Sequence, residues 1–167
     1  DLGEATLESV HALEAAARDD GQRLLALLKK AECRDNRSES EAAVEAGREG
    51  LELSPKASGP DLAAQFSMVV GAGLCELRRV DEALALLEPL GDWSRENLAS
   101  RPRVDVFVHL GIAFDLANRL GDALGAFEYA RKVAAAQGHK DLLATALSNL
   151  ATTTSKRGHL ARAVDFG

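Results

Sequence analysis

Few residues in this sequence have the types and spacing that chemistry needs. Asp165-Phe166-Gly167 spells the magnesium-holding tripeptide of phosphoryl-transfer enzymes. No Gly-rich loop, strand lysine or HRD-type catalytic loop accompanies it, so chance explains the tripeptide. Gly71-Ala72-Gly73 lacks the third glycine and the preceding strand of a dinucleotide fingerprint, and close helix packing explains it. His11, His109, His139 and His159 show no i,i+4 pairing and no HExxH pattern. Cys33 and Cys75 stand far apart, and no spacing sets a base beside either of them. Cys75 reads as a small core or groove residue. These patterns predict no catalysis, no metal site and no cofactor. What remains is amides, hydroxyls and short apolar side chains on helix faces, a set suited to non-covalent recognition.

The elements that must position them are centred on residues 108–130, VHLGIAFDLANRLGDALGAFEYA. Leu110, Gly111 and Phe114 share one face of a first helix, and Ala123, Phe127 and Ala130 share one face of a second. Gly111 and Ala123 let two backbones approach, while Phe114 and Phe127 fill the space beside them. Asn118 tolerates the left-handed conformation of a helix stop, and Asp122 caps the second helix. A step of forty residues back puts Val70, Gly71, Leu74, Ala83, Leu87 and Leu90 in the same places. Forty forward gives Leu150, Ala151, Thr154, Gly158 and Ala163, and eighty back leaves Ala43, Gly47 and Gly50 of the second helix. A constant step of this size marks a stacked-repeat architecture.

The pattern resembles the tetratricopeptide repeat (TPR) family through Leu110, Gly111, Phe114, Ala123, Phe127 and Ala130. The forty-residue step resembles the longer-helix variety of kinesin light chains and bacterial regulators. The segment 146–163, with Asn149-Leu150-Ala151 and Lys156-Arg157-Gly158, is especially similar to that variety. The resemblance implies an all-α fold, a right-handed solenoid of stacked antiparallel helix pairs. It spans residues 22–167, in units of about 22–58, 61–100, 102–138 and 140–167. Residues 1–20 form a capping or partial-repeat helix.

In such arrays the first helices line a concave groove, and curved faces of this kind bind extended segments. Side chains on those helices that point away from the Leu-Gly-Phe core are the candidates. They are Gln65, Met68, Ala72 and Glu76 in the second unit, and Asp105, Val108, His109, Ile112 and Asp115 in the third. In the fourth they are Thr145, Ser148, Asn149, Thr152 and Lys156. By resemblance, Asn149 matches the groove asparagine that holds a bound peptide backbone in kinesin-light-chain-like repeats. The Lys and Asn set with which chaperone-binding relatives clamp two carboxylates is absent.

Composition agrees. The chain is 46% apolar but only 4% aromatic, and Ala and Leu suit close helix packing. A net charge of −6 with no concentrated basic face argues against nucleic acid. No apolar run approaches the roughly 20 residues that span a bilayer. Two cysteines make a poor disulfide framework, so a reducing, cytoplasmic compartment is the default. The expected reading is a non-catalytic interaction scaffold that docks a peptide or helix of a partner, or another domain of its own chain. The alternative is a sensor segment of a larger bacterial signalling or transcription-regulating protein whose output domain lies elsewhere. Exposed array ends offer a surface for homo-oligomers. Three local expectations complete the reading. Pro55 stops the helix that begins near Glu39. A helix from Asp81 ends near Leu90-Gly91, before a less regular stretch at 91–101 in which a short turn of helix around Ser94 to Ala99 lays Trp93 against the neighbouring unit. The last unit breaks near Gly158 into two helices, at 140–156 and 160–167.

Overall fold

The computed structural model describes residues 2–36, 39–57 and 60–165, with side chains over 8–35, 39–54 and 61–158. Among the described residues there are eight helices and no strand. They are α1 (Leu2–Ala16), α2 (Asp20–Asn36), α3 (Ser40–Ala57), α4 (Pro60–Glu76), α5 (Val80–Asn97), α6 (Ser100–Leu116), α7 (Leu120–Gln137) and α8 (Lys140–Asp165). The chain divides into two compact units, Asp1–Leu86 and Leu87–Gly167.

In the first unit α1 packs on α2, α2 on α3 and α3 on α4, and α2 also reaches α4. Leu24, Leu27, Leu28, Ala31, Ala46, Phe66 and Val69 form its core. Glycines set how close α3 and α4 come. A Cβ at Gly50 would lie 2.1 Å from the Phe66 ring, and one at Gly47 would lie 2.5 Å from Val70. Gly47 looks like a poor core filler in the sequence, but here it is the recess that receives a neighbour.

In the second unit α6 packs on α7, α7 on α8, and α6 also reaches α8. Phe127 is fully buried, and its ring lies on Gly111, where a Cβ would come within 2.5 Å. The close approach expected at Gly111 is therefore present, and Phe127 is the side chain that uses it.

The helix stops repeat. Arg78, Asn118 and Gly138 all have left-handed backbones, with φ of 58°, 59° and 73°. Each lets two amides fold back on the helix just ended. Arg79 N–H donates to the Leu74 carbonyl and Arg119 N–H to the Phe114 carbonyl, both at 2.9 Å, while His139 N–H donates to the Ala134 carbonyl at 3.0 Å. These bonds satisfy carbonyls that a helix end leaves without partners.

Three expected breaks do not occur. The third helix runs past Pro55 to Ala57. The fifth continues through Pro89 and Gly91 to Asn97. Pro89 cannot donate to the carbonyl four residues back, but Pro89 and Ala85 are both exposed, so water can take the lost donor's place. Gly91 serves packing: a Cβ there would sit 2.9 Å from Leu110. The region 91–101 is thus mostly helix, with Trp93 half-buried on it. The eighth helix passes straight through Gly158, because glycine permits a left-handed turn without requiring one.

Candidate peptide-binding face

Helices α6 and α8 of the second unit carry most of the expected recognition residues. Buried positions on α6 are Val104, Val106, Phe107, Val108, Leu110, Gly111, Ala113 and Phe114. The remaining stripe, Asp105, His109 and Ile112, is half-buried at spacings of four and three, one face of the helix. On α8, Thr145, Ser148, Thr152 and Lys156 are exposed, Asn149 is half-buried, and Ala146 and Thr153 face inward.

Polar contacts join the two helices. Asp115, whose side chain is only 14% exposed, accepts from Thr153 Oγ1 at 3.1 Å and from Lys156 Nζ. Arg101 on α6 pairs with Asp141 on α8. That hydrogen bond holds the Asp141 carboxyl below the usual range and the Arg101 guanidinium above its own. Ser100 Oγ lies 2.9 Å from His139 Nε2. His109 Nδ1 lies 2.9 Å from the Asp105 carbonyl, so its Nδ1–H donates back along the helix. Burial pushes the Asp105 carboxyl up, against the opposing pull of His109 and Arg101. Thr145 and Thr152 hydroxyls donate to the Asp141 and Ser148 carbonyls four residues back. Among the described residues, no hydrogen bond reaches the Asn149 side chain.

In the first unit the expected residues lie on α4. Gln65 is exposed, with Nε2 3.5 Å from the Asp61 carbonyl, and Met68 is half-buried. Glu76 accepts from Ser40 on α3. Two expectations need correction. Val108 is 5% exposed and Ala72 is 8% exposed, so both are packed and neither presents a side chain to a ligand. Thr153, Arg101 and Asp141 were not singled out by sequence. Only their partners across α6 and α8 give them meaning.

The cysteines and the paired glycines lie on α2 and α4 rather than on α6 or α8. Cys33 and Cys75 are free and buried, and burial raises the Cys75 thiol to about 11, so it stays protonated and unreactive near neutrality. Gly71 and Gly73 lie inside α4 rather than in a phosphate-cradling loop. Phe166 and Gly167 lie outside the described residues, as does the side chain of His159. Among the described residues no three His, Cys, Asp or Glu come together to hold a metal ion, and no helix is long and apolar enough to cross a membrane.

Each unit also has a recess. In the second unit, about 440 Å³ is enclosed by Glu88, Asp92 and Arg95 of α5, Phe107, Leu110 and Phe114 of α6, and Arg119, Gly121, Asp122, Gly125 and Ala126 at α7. Arg95 stacks over Phe107 and Tyr129, and Arg119 over Phe114, each about 4.5 Å from the ring centre. In the first unit, a recess of about 300 Å³ is lined by Arg48, Leu51, Val70, Leu74, Glu82, Ala85 and Leu86.

No family model matches the sequence, and no curated protein matches it. Solved structures do. A Rap protein complexed with competence and sporulation factor superposes with a TM-score of 0.76 at 16% identity, over 98% of this chain and 47% of that one. A putative kinesin light chain from Podosopora anserina, with nearly identical TPR-like repeats, gives 0.72 at 19% identity, over 95% and 79%. MamA from residue 41 to its end, from Desulfovibrio magneticus RS-1, gives 0.60 at 18% identity, over 93% and 86%. This chain spans about half the length of the Rap protein. At these identities the likeness speaks for the fold, and the fold is a TPR-type helical repeat of stacked antiparallel helix pairs.

Proposed function

We propose that the chain is a non-catalytic interaction scaffold, and that the α6–α8 face of its second unit docks a peptide or helix from a partner. The observation that supports this most directly is Asn149. Its amide is half-buried, lies on the same face as Thr145, Ser148 and Thr152, and has no bond of its own among the described residues. An amide donates and accepts at once, as a peptide backbone requires. Asp105, His109 and Ile112 form the half-buried stripe of α6, and the part-buried Asp115–Thr153 bond keeps the two helices in register. On α4, Gln65, Met68 and Glu76 belong to the same reading.

The test is capture of partners by the intact protein, followed by crosslink mapping. Crosslinks should fall on α6 and α8, and Asn149→Ala should weaken capture with helicity unchanged. Crosslinks confined to other surfaces would remove the reading.

A second reading is that this segment senses a signal for a longer bacterial protein, with the output domain elsewhere. It draws on one of the structural neighbours being a Rap protein complexed with competence and sporulation factor, and on the chain matching 47% of that protein. Cytoplasmic placement, absence of direct nucleic-acid contact and self-association through array ends belong to these proposals as well. Light scattering over a range of concentrations separates a monomer from an oligomer.

A further inference from the structure

Charge on the α6–α8 face does not cancel. Three carboxylates stand there, and two are taken. Asp115 holds Lys156 and Thr153, and Asp141 holds Arg101. Asp105 has neither an ion pair nor a side-chain hydrogen bond among the described residues, although it is half-buried. The groups that act on it are His109 and Arg101 of α6, Asp141 of α8, and His139 at the turn before α8. Arg101 is the only cation among them that is charged at every pH, and it is committed to Asp141. A carboxylate partly withdrawn from water and left without a donor is poorly solvated, and burial already draws it toward its neutral form.

On these grounds, and resting on the reading of this face as a peptide site, we propose that Asp105 receives a lysine or arginine side chain of the bound peptide. Ile112 fixes the next feature of the ligand. It lies seven residues further along the same face, about 10 Å at a helical rise of roughly 1.5 Å per residue. A peptide in the polyproline II conformation, with three residues per turn and a rise of about 3.1 Å, brings every third side chain to the same side about 9 Å apart. The predicted ligand thus has a basic residue and an apolar residue three positions apart, with Asn149 holding the backbone between them.

A random twelve-residue peptide library displayed on phage, panned against the whole chain, tests this. Enriched sequences should share that spacing. A synthetic copy of the most enriched one should bind Asp105→Asn about ten-fold or more weakly, the order expected for loss of a charge-assisted hydrogen bond. Thermal melting of Asp105→Asn should be unchanged or slightly raised, because an unpaired half-buried acid is removed. Peptides that bind Asp105→Asn as tightly as the wild type, yet lose affinity in Asn149→Ala, would overturn the role of Asp105 and leave the peptide site standing. No enrichment, or binders indifferent to both Asn149→Ala and Ile112→Ala, would overturn the site and this inference with it.

Discussion

The two units reuse one frame and fill it differently. Stepping the first unit's recess forward by forty residues turns Arg48, Leu51, Val70, Leu74, Glu82, Ala85 and Leu86 into Glu88, Gly91, Leu110, Phe114, Asp122, Gly125 and Ala126. All of the latter except Gly91 line the second unit's recess. The ion pairs keep their places but change hub. In the first unit an acid is shared: Glu82 accepts from both Arg79 and Arg48. In the second a base is shared: Arg119 donates to both Asp122 and Glu88. Ala85 gives way to Gly125 in the lining, and the second recess is the larger. The repeat thus conserves backbone positions and which groups face one another, while bulk and sign are free to vary.

The same holds in the core. Gly50 and the buried Phe66 of the first unit step to Leu90 and Val106, a bare backbone with a large ring exchanged for two medium side chains. Phe66→Ala should give the largest effect here, a loss of about 3–5 kcal/mol in urea unfolding. Gly50→Leu should cost somewhat less alone. Gly50→Leu with Phe66→Val, which copies the second unit's pair, should fall short of the summed single losses by about 0.5–3 kcal/mol. Strict additivity would break the equivalence.

Next in size, Gly111→Leu should lower stability by roughly 1–3 kcal/mol, because a side chain there enters the Phe127 ring. An unchanged melting midpoint would contradict the packing described.

The stops sharpen the comparison further. Arg78 and Asn118 are forty apart and share the left-handed backbone. Arginine has no local bond to offset that conformation, whereas asparagine tolerates it. Arg78→Gly should therefore stabilise by up to about 1 kcal/mol, and Asn118→Gly by less. Equal gains at the two sites would show that the residue at the stop is immaterial.

The smallest effect concerns Glu82, where hydrogen bonds from Arg79 and then Arg48 draw the carboxyl down to about 2. Its folded value lies below the ordinary 4.5, so its contribution is present above that pH and fades as pH falls toward 2. The group is exposed, so solvent screens the pairs heavily. The difference in urea midpoint between wild type and Glu82→Gln should be small near neutrality and vanish in acid.

Much of this was legible in the sequence. The forty-residue step, the Gly111 approach and the left-handed Asn118 all follow from residue type at fixed spacing. The equivalent stop at Arg78 was hidden because arginine carries no preference for that conformation. Pro55, Gly91 and Gly158 misled for a related reason: each permits a break, and the surroundings decide whether one forms. On the candidate face, Asp105, His109, Ile112 and Asn149 could be read from helix periodicity. Val108 and Ala72 could not be told from them, because both are small apolar residues on the edge of the same stripe. That Asp115 and Asp141 are neutralised while Asp105 is not depends on partners about forty residues away, and no local pattern encodes it.

The ring of Phe66 resting on bare backbone at Gly50 has a mechanical outcome. Neither α3 nor α4 can roll about its own axis without driving aromatic carbon into peptide atoms. That seam therefore behaves as a stiff hinge plate, and any yielding that accommodates a visitor has to be sought in other joints of the molecule.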